Sequence, residues 1–480
     1  MSLRTTTAVC GLASAIAPIV ALAHAFDERH ELPVPLGFFV AGAATTVALS
    51  FVVTAVVARQ APVDDTQASQ PRFMSFSLGP LLPVLRRILP SLSVLLLVIV
   101  VASALWGTGN PMMNLAPTFV WVAWWVGGSL AVACIGNFWP VLDPWRGIYQ
   151  FIDMLLRALG RAQGASLGLS WPRALDAWPA VALLLLWSAC EVVFPLAAVP
   201  FRVGVAAILW SLVTLGGMVC FGRKTWQQYG DVFAIYFTTL GRFAPLARGT
   251  NEKSLLVRPF GSSLVSTDAA SMAMVAFIVA MLASVLFDGL LAGEGWSMLE
   301  PALRGRYPQL MDADGYFAGS AGLILVWTVF LFAYLAACAM TGAILGNAAA
   351  SFSTARACAP TLVPIAVAYG IAHNFSGLLL QGQNLIPLVS DPLGAGWNLF
   401  GTAGFRPNIA IIDAGTTWHV AIGAIVVGHV MAVWLAHQVA LRRCKDPLKA
   451  ALASIPLTIL MVAYTAISLL VIAEPMVKFA

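Results

Sequence analysis

Runs of roughly 20 apolar residues recur along the whole chain, and they restrict the possible folds more than any other feature. An α-helix of about that length crosses the hydrocarbon core of a bilayer. Hydrophobic residues make up 60% of the 480 positions and charged residues only 10%, whereas soluble domains carry about 25% charged residues. The pattern therefore predicts an all-α, polytopic transmembrane helix bundle, with the lipid bilayer as its surroundings.

The apolar runs predict ten membrane spans, each placed to within several residues. Prolines near the ends of several runs, such as Pro117 and Pro179, suit a first helical turn because no backbone donor is lost there. The predicted spans are 36–58, 89–107, 117–138, 178–197, 203–222, 265–290, 317–346, 361–381, 417–441 and 450–473.

Residues 1–23 have the features of a secretory signal peptide. Arg4 forms a short basic region, residues 8–21 are apolar, and residues 21–23 read Ala-Leu-Ala, a small-residue cleavage site. Cleavage there would leave residues 24–480 as a single transmembrane domain that begins at His24. An uncleaved signal anchor is the alternative.

The distribution of Lys and Arg between alternate loops predicts the orientation in the membrane. One set of loops holds 19 basic residues, while the opposite set holds six: Arg29, Arg202, Arg304, Arg306, Arg406 and Lys478. Basic residues are enriched in cytoplasmic loops. We therefore expect a bacterial inner-membrane protein whose N-terminus and C-terminus both lie on the outer side.

Composition also argues against a nucleic-acid partner and against a site built from cysteines. The net charge of +5 comes from short loops between apolar runs, and no basic stripe with interleaved aromatic residues is present, so no nucleic-acid partner is expected. The seven cysteines include no C-x-x-C pair, which argues against a disulfide framework and against a zinc-finger type of site.

Ionisable residues inside the predicted spans are the best candidates for function, because burying them in a membrane is costly. Glu191, Asp288 and His373 fall in the outer halves of spans four, six and eight, and His429 falls near the middle of span nine. Imidazole and carboxylate groups together suit a first-row metal. We expect His373 and His429 as ligands, with Asp288 or Glu191 as ligand or catalytic base.

The predicted mature N-terminus adds two further candidate metal ligands. His24 would offer both an amine and an imidazole, and His30 lies close to it in sequence. A divalent transition metal, zinc or copper, is the expected cofactor, and a haem is the less favoured alternative. His419 and His437 are expected to make ordinary polar contacts between helices, since their spacing from His429 prevents any two of these three residues from sharing an ion.

Two segments near the predicted cytoplasmic face are expected to have structural roles. Residues 229–243 suggest an amphipathic helix lying flat on the membrane. Trp139, Trp145 and Arg146 follow span three, and this combination is typical of an interfacial anchor.

Several short segments together suggest a family resemblance. They are residues 24–26, 31–36, 139–146, 287–289 (Phe-Asp-Gly), 372–375 (Ala-His-Asn-Phe), 428–430 (Gly-His-Val), 436–437 and 463–465. In these segments the chain resembles a bacterial family of multipass membrane proteins labelled fenitrothion hydrolase. The resemblance implies hydrolysis of an ester bond in an organophosphorus triester, and it implies no particular set of catalytic residues.

Three functions are compatible with the sequence. The first is an outward-facing, metal-assisted hydrolase whose small-molecule substrate enters from the lipid. The second is a transporter or permease for a metal ion or small solute, in which the same polar residues line a pathway. The third is a membrane anchor or assembly subunit for a periplasmic protein partner, which would dock on the longer loops near residues 291–316 and 382–416.

Overall fold

The computed structural model describes residues 32, 34–58, 75–77, 81–194, 199–249, 254–265, 270–309, 314–346, 351–444 and 446–476. The predicted signal peptide, its cleavage after Ala23, and the candidate ligands His24 and His30 lie outside these residues.

The described chain is almost entirely helical, and two of its membrane helices contain a stretch of the wider π-helix. The α-helices are α1 Leu36–Val57, α2 Leu81–Trp106, α3 Leu115–Pro117, α4 Gly128–Cys134, α5 Trp139–Leu142, α6 Pro144–Ala158, α7 Trp178–Ser188, α8 Pro200–Phe221, α9 Arg223–Tyr229, α10 Val232–Gly241, α11 Met272–Leu291, α12 Glu294–Arg306, α13 Tyr316–Ile344, α14 Ser351–Cys358, α15 Val363–Gln381, α16 Leu385–Ser390, α17 Ala414–Arg443 and α18 Pro447–Met476. The π-helical segments are Thr118–Gly127, between α3 and α4, and Ala189–Val193, after α7; 3₁₀ turns occupy Ser262–Leu264, Ala359–Leu362, Gly382–Asn384 and Ile409–Ile411.

Nine helices of the described chain are long and apolar enough to cross a membrane. The shorter apolar helix Trp178–Val193 is the counterpart of the fourth predicted span, so each of the ten predicted spans corresponds to a helix. The predicted all-α, polytopic bundle is confirmed. The nine are Leu36–Val57, Pro83–Trp106, Leu115–Cys134, Pro200–Phe221, Met272–Leu291, Tyr316–Ile344, Ser351–Ser390, Ala414–Arg443 and Pro447–Glu474.

Helix α11 forms the centre of the bundle. Of the residues in its apolar stretch, 67% are buried inside the protein, compared with 17% for α1 and for α2. It packs against α7, α13, α15 and α18. Helices α1 and α2 therefore present most of their surface to lipid, while α11 holds its side chains, including Asp288, against other helices.

A three-stranded antiparallel sheet joins two of the loops outside the spans. The strands are β1 Ser75–Ser77, β2 Leu246–Arg248 and β3 Ser254–Val257, in the order β1-β3-β2. Phe76 pairs with Leu255 in one ladder, and Ala247 pairs with Leu256 in the other.

The expectation of a flat interfacial helix over residues 229–243 is wrong. Two short helices, α9 and α10, occupy this segment, and most of α10 is buried. The Asp231 side chain caps α10 by accepting from the backbone N–H groups of Phe233 and Ala234. The Phe233 ring then packs 4.7 Å from Trp124 and 5.1 Å from Trp187, because protein, not lipid, surrounds this helix.

The expected interfacial anchor after span three is also buried. Trp139 and Trp145 are each only 5% exposed, and the Trp145 ring stacks on Phe233 at 5.8 Å. Because α10 folds into the bundle, these tryptophans contact its aromatic side chains instead of the membrane interface.

Candidate functional site

Three ionisable side chains from different helices line one small cavity in the bundle. Glu191 comes from the π-helical segment Ala189–Val193, Asp288 from α11 and His373 from α15. The cavity has a volume of about 50 Å³, which is room for only a few water molecules. We call Glu191, Asp288 and His373 the carboxylate–histidine cluster.

Asp288 and His373 form a direct pair within this cluster. The His373 Nε2 atom lies 2.7 Å from Asp288 Oδ2. The His373 side chain is 8% exposed and that of Asp288 is 34% exposed, so the imidazole is enclosed while the carboxylate keeps an accessible face. The Tyr369 ring, one turn earlier on α15, stacks on His373 at 6.2 Å and restricts its orientation.

Glu191 is held by a network that starts on a second π-helical segment. The Trp125 side chain hydrogen-bonds Glu191, and Trp125 belongs to the segment Thr118–Gly127. The Ser129 hydroxyl donates to the Trp125 backbone carbonyl, and Tyr236 of α10 hydrogen-bonds Ser129. Two π-helical segments thus meet at Glu191, and such segments are frequent at functional sites.

The charge balance of the cavity is unusual for a membrane interior. Glu191 and Asp288 are close enough to interact electrostatically, and the described residues that line the cavity include no Lys or Arg. One imidazole can balance one carboxylate, and an uncompensated buried charge is costly. The described lining residues thus hold two carboxyl groups and offer one imidazole as a basic partner.

His429 lies in a different environment from His373. Its Nδ1 atom donates to the backbone carbonyl of Ile425 at 2.8 Å, and its ring packs 5.7 Å from Tyr464. Its Nε2 atom is buried and has no hydrogen-bond partner among the described residues. The lining of the cavity includes His373 but not His429.

The two remaining membrane histidines contact backbone carbonyl groups, His437 between helices, as expected from the sequence, and His419 within its own helix. The His437 Nε2 atom donates to the backbone carbonyl of Ala58 at 3.1 Å, which ties the end of α1 to α17. The His419 Nδ1 atom donates to the carbonyl of Gly415, one turn earlier, at 2.7 Å.

Within the described ranges, no three or more His, Cys, Asp or Glu side chains are grouped so that they could hold one metal ion. Asp288 and His373 are a potential pair of ligands, with Glu191 on the same cavity. His24 and His30 are not described, so the proposed zinc or copper site stays a prediction.

The sequence did not suggest three polar or amphipathic residues of this site: Trp125, Ser129 and Tyr236. Tyr236 falls in the segment for which the sequence predicts an interfacial helix, and Trp125 is one apolar residue within span three. The only available signal was the Trp124–Trp125 pair in the middle of a span, because tryptophan is ordinarily concentrated at the membrane interfaces.

The fold and the site together define a multi-pass, all-α membrane protein with a carboxylate–histidine cluster inside its helix bundle. No family model, no curated protein and no solved structure matches the chain. The resemblance to fenitrothion hydrolases stays a prediction.

Proposed function

We propose that this protein is a membrane transporter that moves protons, with or without a small solute, through the carboxylate–histidine cluster. The observation that carries the proposal is the placement of Glu191, Asp288 and His373 on one cavity, with Asp288 and His373 in direct contact at 2.7 Å. Chains of Asp, Glu and His inside membrane helices are typical proton relays of pumps and transporters.

The size of the cavity favours a proton over a bulky substrate. Its volume is about 50 Å³, whereas pockets for drug-sized molecules have volumes of about 300–1,000 Å³. An aryl phosphotriester is of that larger class. Hydrolysis of such a compound, which the family resemblance implies, is therefore less well supported at this cavity than proton transfer.

The short helices beside the cavity support the same proposal. Trp178–Val193, which carries Glu191, has 16 residues, and α10, which carries Tyr236, has 10. Both are shorter than the roughly 20 residues that cross a bilayer. Unusually short hydrophobic segments are a feature of many transporters, whose ion and substrate sites they help to form.

Proton flux into reconstituted vesicles tests this function. The purified protein is placed in liposomes that contain a pH-sensitive dye, and a potassium diffusion potential drives protons inward. We expect acidification faster than in protein-free liposomes, and we expect Asp288→Asn and Glu191→Gln to remove that excess. Each substitution deletes a titratable group and preserves the size of the side chain.

Glu300→Gln is the matched control, because Glu300 pairs with Arg304 on α12, away from the cavity. It should conduct protons as the wild type does. Wild-type flux equal to that of empty liposomes, from protein that elutes as a single folded species, would rule out proton conduction. Organophosphate hydrolysis that stops on addition of a chelator would instead favour the hydrolase.

A further inference from the structure

A groove that is open to the surface lies where α6, the loop after it and the junction between α8 and α9 meet. Its volume is about 570 Å³, which is within the range of about 300–1,000 Å³ that is usual for ligand sites. Three cationic side chains, Arg157, Arg223 and Lys224, and one carboxylate, Asp153, are among the described residues that line it. We call it the basic groove.

Hydrogen bonds hold the walls of the basic groove in place. The loop after α6 is tied back to α6, because the Ala165 N–H group donates to Asp153 Oδ1 at 2.8 Å. The same loop is tied to the end of α8, where the Leu167 N–H group donates to the Val219 carbonyl at 2.7 Å. Gly222 makes the turn from α8 into α9 with a φ of 81°, a conformation that favours glycine. The groove is therefore a formed feature of the fold.

The basic groove has an excess of positive charge. Both oxygens of its carboxylate are engaged, since the Arg157 side chain donates to Asp153 Oδ2 at 2.9 Å and the Ala165 N–H group donates to Oδ1. These two contacts hold the pKa of Asp153 below its usual range, so the carboxylate is ionised and balances one cation. Arg223 and Lys224 form no hydrogen bond or ion pair with another described residue. Two positive charges therefore stay unbalanced.

The two unpaired cations lie at the end of a membrane helix. The span Pro200–Phe221 has 22 residues, which cover about 33 Å, close to the roughly 30 Å of the hydrocarbon core. Only Gly222 separates the last residue of this span from Arg223 and Lys224. The groove therefore opens near the layer of a bilayer in which the lipid phosphate groups lie.

An exposed apolar stripe on α6 runs to the rim of the groove. Phe151, Met154 and Leu155 are 63%, 61% and 48% exposed, and their spacing of three and four residues places them on one face of the helix. Met154 also lines the groove. Cations beside an apolar stripe suit a molecule that has both an anionic headgroup and acyl chains. A soluble phosphate compound would leave the stripe unused.

We propose that the basic groove binds the phosphate headgroup of an anionic phospholipid whose acyl chains lie along the apolar stripe of α6. Arg and Lys are the side chains that most often bind phosphate, and basic pockets beside membrane helices bind anionic lipids. A zwitterionic lipid brings its own cation and gains less from Arg223 and Lys224. Lipid binding is a claim separate from proton transport, because none of the residues that carry it belongs to the carboxylate–histidine cluster.

Lipid binding to the full-length protein, counted by native mass spectrometry in detergent micelles, tests the proposal. Two lipids with the same acyl chains are titrated: dioleoylphosphatidylglycerol, which is anionic, and dioleoylphosphatidylcholine, which is zwitterionic. We expect the first phosphatidylglycerol to bind about tenfold more tightly than the first phosphatidylcholine, because two cations near a membrane each favour an anionic lipid.

Removal of the two unpaired cations should affect only the anionic lipid. Arg223→Gln combined with Lys224→Gln should weaken phosphatidylglycerol binding about tenfold to thirtyfold and leave phosphatidylcholine binding nearly unchanged. Arg161→Gln combined with Arg173→Gln is the matched control. It removes two exposed cations from the segment between α6 and α7 that do not line the groove, and it should change neither affinity.

A second double variant leaves the cations in place and preserves the size of each side chain. Gln150 and Gln163 line the groove and are exposed, so Gln150→Glu combined with Gln163→Glu should fold. The two added negative charges should remove the preference for phosphatidylglycerol, because they balance the excess positive charge of the groove.

Three results would overturn the proposal. The first is equal affinity of the wild type for the two lipids. The second is an equal loss of phosphatidylglycerol binding in the Arg161 and Arg173 control, which would indicate attraction to the charge of the whole surface. The third is displacement of phosphatidylglycerol by equimolar sn-glycerol 3-phosphate, which carries the phosphate without acyl chains. That result would assign the groove to a soluble phosphate compound.

Discussion

The contact between α15 and α17 gives the sharpest prediction about stability, because it depends on one missing methyl group. A Cβ atom added at Gly428 would lie 2.3 Å from Ala368 Cβ and 2.8 Å from the backbone carbonyl oxygen of Pro364. Small residues allow membrane helices to approach this closely. Gly428 is adjacent to His429, and α15 carries His373, so this contact also helps to position the site.

The size of the effect of Gly428→Ala follows from these distances. Two carbon atoms in contact are about 3.5–4.0 Å apart, so the helices would have to separate locally by at least about 1.2 Å. Neither obstructing atom can rotate away, because one is a Cβ atom and the other belongs to the backbone. Overpacking of this kind costs about 1–3 kcal/mol of unfolding free energy.

Denaturation of the purified protein in mixed detergent micelles, followed by tryptophan fluorescence, measures this change. Gly423→Ala is the matched control on the same helix, since a Cβ atom there meets nothing within 4 Å. It should be neutral or stabilising by up to about 1 kcal/mol, through helix propensity. Adding Ala368→Gly to Gly428→Ala should restore part of the loss, because it removes the closer of the two obstructions. If Gly428→Ala unfolds at the same denaturant concentration as Gly423→Ala, the close-packing argument is wrong.

Two further predictions concern buried polar residues outside the cluster. Asn114 is fully buried, caps α3 and donates to the carbonyls of Ser103 and Thr108 at 2.8 Å each. Asn114→Ala should therefore lower the unfolding free energy by about 3 kcal/mol, whereas Asn110→Ala, at an exposed position, should change it by less than about 0.5 kcal/mol. Equal denaturation midpoints for the two variants would contradict this prediction. Burial raises the pKa of Asp143 to about 6, against the lowering effect of hydrogen bonds from the Arg146 backbone and the Gln227 side chain. Because this pKa is higher than in the unfolded chain, the proton stabilises the fold fully below pH about 4, and that stabilisation is lost as the pH rises through about 6. Thermal unfolding between pH 4 and pH 7 should therefore show a decline in the wild type that is weaker in Asp143→Asn; identical pH profiles would argue against a raised pKa.

The architecture was predictable because it depends on a local property of the chain. A stretch of about 20 apolar residues crosses a membrane as a helix whatever its neighbours are, so each of the ten predicted spans has a helical counterpart. The prediction failed for residues 229–243, where the amphipathic pattern of the sequence predicted a helix on the membrane surface. The tryptophans that surround α10 come from distant segments, and hydropathy along the chain does not report such contacts.

The candidate site was predictable only in part. Each of Glu191, Asp288 and His373 was identifiable, because an ionisable residue in an apolar run is conspicuous. Their positions along their own helices also followed from the predicted spans. Their distances did not, because these depend on the rotation of three helices about their own axes. His429 has the same sequence signature as His373, yet it lies outside the cavity.

The sequence by itself determined that this chain is a multi-pass helical membrane protein. It also identified the few ionisable residues inside the predicted spans as candidates for function, because their burial in a membrane costs free energy. Tertiary structure alone decided that Asp288 meets His373, that Trp125 and Tyr236 support Glu191, and that α6 and the junction between α8 and α9 enclose the basic groove. Spanning a membrane depends on the apolar length of one helix, whereas a site depends on distances of a few ångströms between helices. Those distances are set by packing, for example by the absence of a side chain at Gly428.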